Sequence, residues 1–430
     1  MQTIQELIGQ YKVREAFWAA AADVENNEEN QTLFLQILSF NNNVALLQTD
    51  SDEIREQAEN GGNPYMAYAY ARLHDVLQPD GDSNDVKKKY YTIAANHDIG
   101  DAYVYLAYMY RDGDLGEQDM DTYGSFMQEA GRRRSEKALQ QIIRNHIYGS
   151  NGSEVNPKKA YKLAENHLKE LDFPNPAYYL LMAEADVQLG RKANAVCNFE
   201  AAAVHGCSSA YYWWAATECC DDEYNIVDRP RFMELMQKGI DVYAAECFLM
   251  YPLMIDEEEY EVLDDGDKEE VGKGILDDLT AGWMLGNSEC PYFLADCFEN
   301  GLYGFEQDYG NAWLWYSRGA ILRSAASFEA LARMVLDDGT APFSFDVEYA
   351  YECAYKGLLL GAEDGLEVVI RGYRNGFLAH HSMMIESKWL PEYEQRINEM
   401  MDNHELDGDE YDDGHEYLYD GEPEREIEED

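Results

Sequence analysis

Residues 308–320 read DYGNAWLWYSRGA, and the spacing within this stretch recurs along the chain. Ala312 is followed three residues later by the bulky pair 315–316, and three residues after that pair comes the small pair 319–320. Steps of three and four residues place these side chains on one helical face. Because bulky and small side chains alternate on this face, a second helix can approach it closely. Further copies of the spacing lie at 87–95, 195–203 and 350–358.

A second spacing precedes the first one and also recurs. Residues 102–113 and 290–301 share the order small, leucine, alanine, aromatic and glycine at equal intervals. We name this first half of each repeat helix A and the second half helix B. A glycine is a common residue just past a helix end, and an Asp or Asn side chain such as Asp308 caps the start of the next helix. The pattern predicts starts of helix A near residues 64, 102, 135, 176, 210, 244, 290, 324 and 364.

The two spacings together resemble the Sel-one-like repeat family, whose members belong to the tetratricopeptide-like helical repeats. The residues that carry the resemblance are Ala-x3-Leu-Ala-x2-Tyr-x2-Gly at 102–113 and Asp-x3-Ala-x2-Trp-Tyr-x2-Gly-Ala at 308–320. The resemblance implies a right-handed superhelix with a protein-binding or scaffolding role. We therefore predict an all-α fold, a right-handed superhelical solenoid of about eight helix-turn-helix repeats.

The repeats divide the chain into four predicted segments. The array covers 62–376, the preceding residues 1–61 read as an N-terminal helical cap or degenerate repeats, and 377–402 read as a C-terminal capping helix. The tail 403–430 is strongly acidic and has no apolar period, which predicts disorder. A second acidic stretch at 256–270 is predicted to be an exposed loop.

The net charge of the chain indicates which classes of partner it could bind. The chain has 84 acidic and 33 basic residues, a formal net charge of −51. Binding to nucleic-acid phosphates or to an anionic membrane needs clustered Lys and Arg, so this balance argues against both partners and favours a basic protein. Eight irregularly spaced cysteines indicate reduced thiols. We expect a cytoplasmic protein of bacterial type.

Motifs for catalysis and for cofactors are missing from the sequence. It contains no phosphate-binding Gly-x4-Gly-Lys-Ser/Thr loop, no Gly-x-Ser-x-Gly elbow and no His-Glu-x2-His metal helix. The adjacent pair Cys219-Cys220 does not have the spacing of a zinc or redox pair. Asp80-x-Asp82 resembles the start of a calcium loop that lacks its closing glutamate, and His380-His381 is interpreted as a surface dipeptide. We expect no cofactor, no metal and no catalytic residue.

Aromatic residues lie on both sides of helix A. Those on the face opposite the packing stripe have two interpretations: contacts between adjacent repeats, or the lining of a concave groove. Tyr and Trp are enriched in binding patches because they offer a large area at a small cost in side-chain entropy. The residues predicted to bind a partner are Tyr105, Tyr108, Tyr179, Tyr212, Trp213, Tyr292 and Phe293.

The function predicted from these features is a non-enzymatic scaffold or adaptor that binds a basic or extended protein segment in an acidic, aromatic-rich concave groove. Two alternatives stay open. One is an immunity-type or DNA-mimic neutraliser of a basic protein, which the negative charge would suit. The other is an enzyme that acts on a cationic or carbohydrate substrate in the groove.

Overall fold

A computed structural model describes residues 2–77, 83–116, 119–149, 153–221, 223, 225–250, 254, 260–337, 339–342 and 347–402. The predicted acidic tail 403–430, together with Asp80 and Asp82, lies outside these residues.

Within the described residues the secondary structure is helical, apart from one isolated bridge between Cys220 and Ile226. The predicted all-α repeat fold is confirmed. Each predicted start of helix A falls within two residues of the start of an observed helical element. The principal helices are α1 Ile4–Gly9, α2 Val13–Ala21, α3 Glu28–Leu38, α4 Asn41–Ala45, α5 Ser51–Glu59, α6 Pro64–Leu77, α7 Asn84–Ala95, α8 Gly100–Arg111, α9 Met120–Arg132, α10 Glu136–Tyr148, α11 Pro157–Glu170, α12 Pro176–Gln188, α13 Lys192–Val204, α14 Ala210–Cys219, α15 Arg229–Asp241, α16 Asp265–Met284, α17 Glu289–Asn300, α18 Tyr309–Ile321, α19 Ala325–Leu336, α20 Val347–Leu359, α21 Leu366–Arg374 and α22 Leu390–Asp402.

The chain folds as two compact units, Met1–Arg323 and Ser324–Asp430. In the first unit, helices that follow one another along the array pack against each other, and a 3-10 helix at Ala245–Leu249 takes the place of one helix A. In the second unit, α19 packs on α20 and α20 on α21. None of the described helices combines the length and the apolar character that a membrane span requires.

Helix starts and ends follow the predicted chemistry. The Asp308 side chain accepts hydrogen bonds from the backbone N–H groups of Gly310 and Asn311, at 2.9 and 3.0 Å. Such a side chain satisfies donors that have no partner within the helix. Helix α17 ends at Gly301, whose φ of +69° lies in the left-handed region that glycine adopts without strain.

Glycines in helix B allow close contact with the next helical element. A Cβ atom added to Gly239 would overlap the Sγ atom of Cys247, and one added to Gly282 would overlap the Sγ atom of Cys290. Both contacts join a small residue of helix B to the first small residue of the following helix A. The alternation of bulky and small residues therefore serves helix–helix packing.

The acidic stretch 256–270 is only partly described, and for residues 265–270 the predicted loop is wrong. They form the first turns of α16. The Asp264 side chain caps this helix by accepting hydrogen bonds from the backbone N–H groups of Gly266 and Asp267, both at 3.0 Å. Negative charge near a helix N-terminus is favourable because the N-terminal end of the helix dipole is positive, so a run of acids is compatible with helix at this position.

Candidate protein-binding surface

Tyr105, predicted to contact a partner, is buried at 6% exposure in a group of tyrosine rings. Its ring stacks on Tyr91 with centroids 5.2 Å apart and meets Tyr108 edge-on at 5.9 Å. Tyr68 lies 6.1 Å away, and the guanidinium of Arg72 lies 4.2 Å from the centroid of Tyr105. We call these five residues the Tyr105 cluster. Because its rings and Arg72 contact each other, Tyr105 has little area left for a partner.

A segment of the chain's own N-terminal region lies against this cluster. Arg72 Nε donates to the Leu38 carbonyl oxygen at 3.2 Å, and Arg72 Nη2 donates to Asn41 Oδ1 at 2.7 Å. Lys137 Nζ donates to the Ser39 carbonyl oxygen at 3.4 Å. The last carbonyls of a helix lack intrahelical partners and carry the negative end of the dipole, so two cations suit the end of α3. We call residues 38–43 the docked segment.

The docked segment continues towards α14. Phe40 packs against an apolar cluster formed by α12–α15 and the 3-10 helix. The Asn42 amide donates to Ser208 Oγ and to Glu246 Oε2, both at 3.4 Å. Meanwhile α5 packs against α6 at the start of the array. The N-terminal helices thus contact both the first helix of the array and helices more than a hundred residues further along the chain.

The surface around the docked segment carries cations despite the negative net charge. Burial, together with repulsion from Arg72 and Arg144, lowers the pKa of Lys137 to about 8. Arg144 pairs with Glu184 at 3.0 Å. Tyr108, another predicted partner-binding residue, donates from its hydroxyl to Gln141 Oε1 at 2.6 Å. This part of the array is therefore a polar and internally paired surface.

Three other predicted residues pack mainly on neighbouring rings. Tyr179 is half-buried and stacks on His205, with centroids 5.4 Å apart. Tyr292 lies 5.8 Å from Phe293 and 5.7 Å from Tyr316. These contacts correspond to the first of the two interpretations, in which the aromatic residues join adjacent elements of the array.

Trp213 differs from the other six residues because 48% of it is exposed. Its ring meets Tyr212 edge-on, with centroids 5.1 Å apart. Burial raises the pKa of the Tyr212 hydroxyl, and the neighbouring groups Cys247, Glu246, Cys220 and Glu289 raise it further. We call Tyr212, Trp213, Glu246 and Glu289 the Trp213 surface. It borders the docked segment, since Glu246 accepts a hydrogen bond from Asn42 and both Tyr212 and Phe40 pack on the same apolar cluster.

Carboxylates near Tyr212 and Cys290 lack cationic partners among the residues that the structure describes. Burial raises the pKa of Glu246. Burial also raises the pKa of Asp278 to about 6, with the adjacent Asp277 adding to the shift. Burial raises the pKa of the Cys290 thiol, and the nearby charges of Glu246, Glu289 and Asp278 add to this effect. Like charges that lie close together without a cation favour the binding of one.

The sequence analysis named Tyr212 and Trp213 but missed the two glutamates beside them. Their positions within the repeat could have indicated these glutamates. Glu246 and Glu289 directly precede Cys247 and Cys290, the residues that face Gly239 and Gly282 in two consecutive repeats. Equal repeat positions therefore place both carboxylates on the same side of the array. Arg72 and the docked segment had no such signal, because their contacts join segments that are far apart in sequence.

Comparison with known proteins gives structural similarities only. No family model and no curated protein sequence matches this chain. A Sel1 repeat protein from Oxalobacter formigenes superposes with a TM-score of 0.37 and 16% identity, over 76% of this chain and 93% of that protein. A protective antigen of uropathogenic Escherichia coli strains, described as displaying an SLR fold, superposes with a TM-score of 0.34 and 14% identity, over 91% of this chain and 97% of that protein.

The chain is similar to Sel1-like repeat proteins. At these TM-scores the superpositions support no inference about function. The similarity itself rests on the repeated spacings and on the helix bounds that match them.

Proposed function

We propose that this Sel1-like array is a non-enzymatic interaction scaffold that binds a basic, extended segment of a partner protein at the Trp213 surface. The observation that carries the proposal is the exposed indole of Trp213, which meets the ring of Tyr212 edge-on. The Tyr212 hydroxyl in turn lies near Glu246 and Glu289, carboxylates without a cationic partner among the described residues. A Lys or Arg side chain placed there would contact the indole face and pair with a carboxylate.

The docked segment supports the same mode of binding. The array holds it through hydrogen bonds to the Leu38 and Ser39 carbonyls, through the side chains of Asn41 and Asn42, and through one aromatic anchor, Phe40. The two carbonyl contacts do not depend on the bound sequence. A partner segment at the Trp213 surface would extend this arrangement along the array. Aromatic residues that lie next to charged groups frequently dominate binding energy at protein interfaces.

The charge of the whole chain would act at longer range. A net charge of −51 attracts a basic partner and speeds encounter, and the effect weakens as salt increases. We also propose a cytosolic location, which is compatible with eight cysteines that are all free. Neither a nucleic acid nor an anionic membrane fits the proposed site, because its unpaired groups are carboxylates.

The test begins with tagged full-length protein as bait at low and at moderate salt, with mass spectrometry. The segment of a captured partner that contacts the bait is then mapped by cross-linking and synthesised, and its affinity is measured by calorimetry. We expect Trp213→Ala to weaken that affinity by about 2 kcal/mol, roughly thirtyfold. The double change Glu246→Gln with Glu289→Gln should also weaken the affinity and should make the affinity less dependent on salt.

Met233→Ala is the matched control, because Met233 on α15 has a similar exposure of 47%. It should leave the affinity unchanged. Equal affinities for the wild type and for Trp213→Ala would refute the proposed site. An affinity that increases with salt would refute the basic character of the partner.

A further inference from the structure

Three potential metal ligands converge in the unit Ser324–Asp430. Glu352 lies on α20, and His380 and His381 lie in a 3-10 turn after α21. One ligand atom from each of the three residues lies within 4.8 Å of the other two. His380 Nε2 is 2.8 Å from Glu352 Oε1, and His381 Nε2 is 3.2 Å from Glu352 Oε2. The sequence predicts a surface pair at His380-His381, and the structure places both histidines beside the Glu352 carboxylate.

The spacing of these atoms suits a small divalent cation. Zinc binds imidazole nitrogens and carboxylate oxygens at about 2.0–2.2 Å, so two ligands of one tetrahedral ion lie about 3.3 Å apart. The contact of Glu352 Oε2 with His381 Nε2, at 3.2 Å, falls close to this value, while Glu352 Oε1 lies closer to His380 Nε2, at 2.8 Å. Two histidines and one glutamate also form the type of ligand set that leaves a fourth position open to water.

The orientation of His380 gives a second, independent argument. Glu352 Oε1 is buried and accepts no hydrogen bond of good geometry, although His380 Nε2 is only 2.8 Å away. In an ion pair, the ring N–H would point at the oxygen. In a metal site, the lone pairs of both atoms point instead at a third position, which is where the ion binds.

Neighbouring rings hold His381 in place. It stacks on Tyr355 with centroids 3.7 Å apart and planes 8° apart, and Tyr355 meets the buried Trp389 edge-on at 5.2 Å. His381 therefore needs little reordering to bind an ion. His380, by contrast, is 55% exposed and gives the site an opening to solvent.

We propose that Glu352, His380 and His381 bind one zinc-like divalent cation, with water as the fourth ligand. The ion would join α20 to the turn at Ala379–His381 and thereby fasten the last helices of this unit. The alternative is a plain ion pair between the carboxylate and two imidazoles, which would need no metal.

The experiment uses the full-length protein after treatment with a chelator, titrated with Zn²⁺ against a chromophoric competitor. We expect one site per chain with micromolar or tighter affinity. Glu352→Gln and His380→Ala should each weaken it by at least tenfold, the smallest effect expected when a metal site is disturbed. His381→Phe keeps a ring to stack on Tyr355 while it removes the ligand, so it separates loss of binding from loss of packing.

The matched control is the double change His404→Ala with His415→Ala, which removes two histidines of the acidic tail and should leave the affinity unchanged. Co²⁺ provides a second readout, since a tetrahedral site with nitrogen and oxygen ligands absorbs visible light without the near-ultraviolet band of a thiolate ligand. Circular dichroism checks that each variant is folded. Absence of zinc binding to the wild type, unchanged affinity in Glu352→Gln, or a thiolate band would each overturn the proposal.

Discussion

Arg72 should hold the docked segment in place, and Arg72→Met tests this role. The guanidinium is 1% exposed and donates to the Leu38 carbonyl, to Asn41 and to Asp75. Methionine keeps most of the apolar stem but leaves the carbonyl oxygen of the buried Leu38 without a donor, at about 1–3 kcal/mol. Asp75 is 30% exposed and regains hydrogen bonds to water, so the loss of its ion pair with Arg72 adds little to the destabilisation. Asn41 is exposed and regains water as well, so with the lost contact to the Tyr105 ring we expect the docked segment to be destabilised by about 2–4 kcal/mol.

A single unfolding free energy is poorly defined for a long helical array, so the measurement should be local. Hydrogen exchange with mass spectrometry on peptides that cover 33–47 should show exchange at least about thirtyfold faster in Arg72→Met, which corresponds to about 2 kcal/mol. Peptides of α18 should be unaffected. The matched control is Arg55→Met, because Arg55 and its partner Asp52 are 49% and 94% exposed and their pair should contribute no more than about 1 kcal/mol. Unchanged protection of 33–47 in Arg72→Met would refute the role assigned to Arg72.

Three further predictions concern charge and packing. Lys137→Met should raise the melting temperature at pH 7, because the lowered pKa of Lys137 shows that its charged form is unfavourable in the folded state. This gain should shrink between pH 8 and 9.5, where the lysine of the folded wild type loses its charge. Asp278→Asn should increase the stability of the fold by about 1–2 kcal/mol at pH 7, because the raised pKa of Asp278 means that its charged form is unfavourable in the folded state. Below pH 4, where Asp278 is protonated, the substitution should leave the stability unchanged. Gly282→Ala should destabilise the fold by about 1–3 kcal/mol, because the added methyl group overlaps Cys290. Gly131→Ala, where the added methyl group meets no atom, should instead stabilise the fold by up to about 1 kcal/mol. Equal melting temperatures for these two variants would contradict the packing argument.

The sequence predicted the helix pairs well because the spacing acts locally. Helix A and helix B are each defined by residues three or four positions apart, and their ends carry capping residues such as Asp308 and Gly301. The same local chemistry shows why 265–270 was mistaken for a loop. Acidic residues were interpreted as a break in the pattern, although at a helix start they stabilise the helix.

The candidate site was only partly predictable, because exposure depends on contacts between distant parts of the chain. Tyr105 and Trp213 occupy the same position of helix A, three residues after Ala102 and Ala210, respectively. Tyr105 is buried beside Arg72 and the docked segment, while Trp213 remains half exposed. A repeat pattern assigns equal faces to equal positions, and it does not encode which of these faces another segment covers.

The distribution of charge over the array also depends on contacts between distant parts of the chain. A net charge of −51 suggests a uniformly acidic array. Yet Arg72, Lys137 and Arg144 lie together near the docked segment, and the carboxylates near Tyr212 and Cys290 have no cation among the residues that the structure describes. A basic peptide would be repelled where these cations lie and attracted at Trp213. It should therefore bind next to the docked segment without displacing it, and the exchange protection of 33–47 should stay constant while the partner saturates the Trp213 surface.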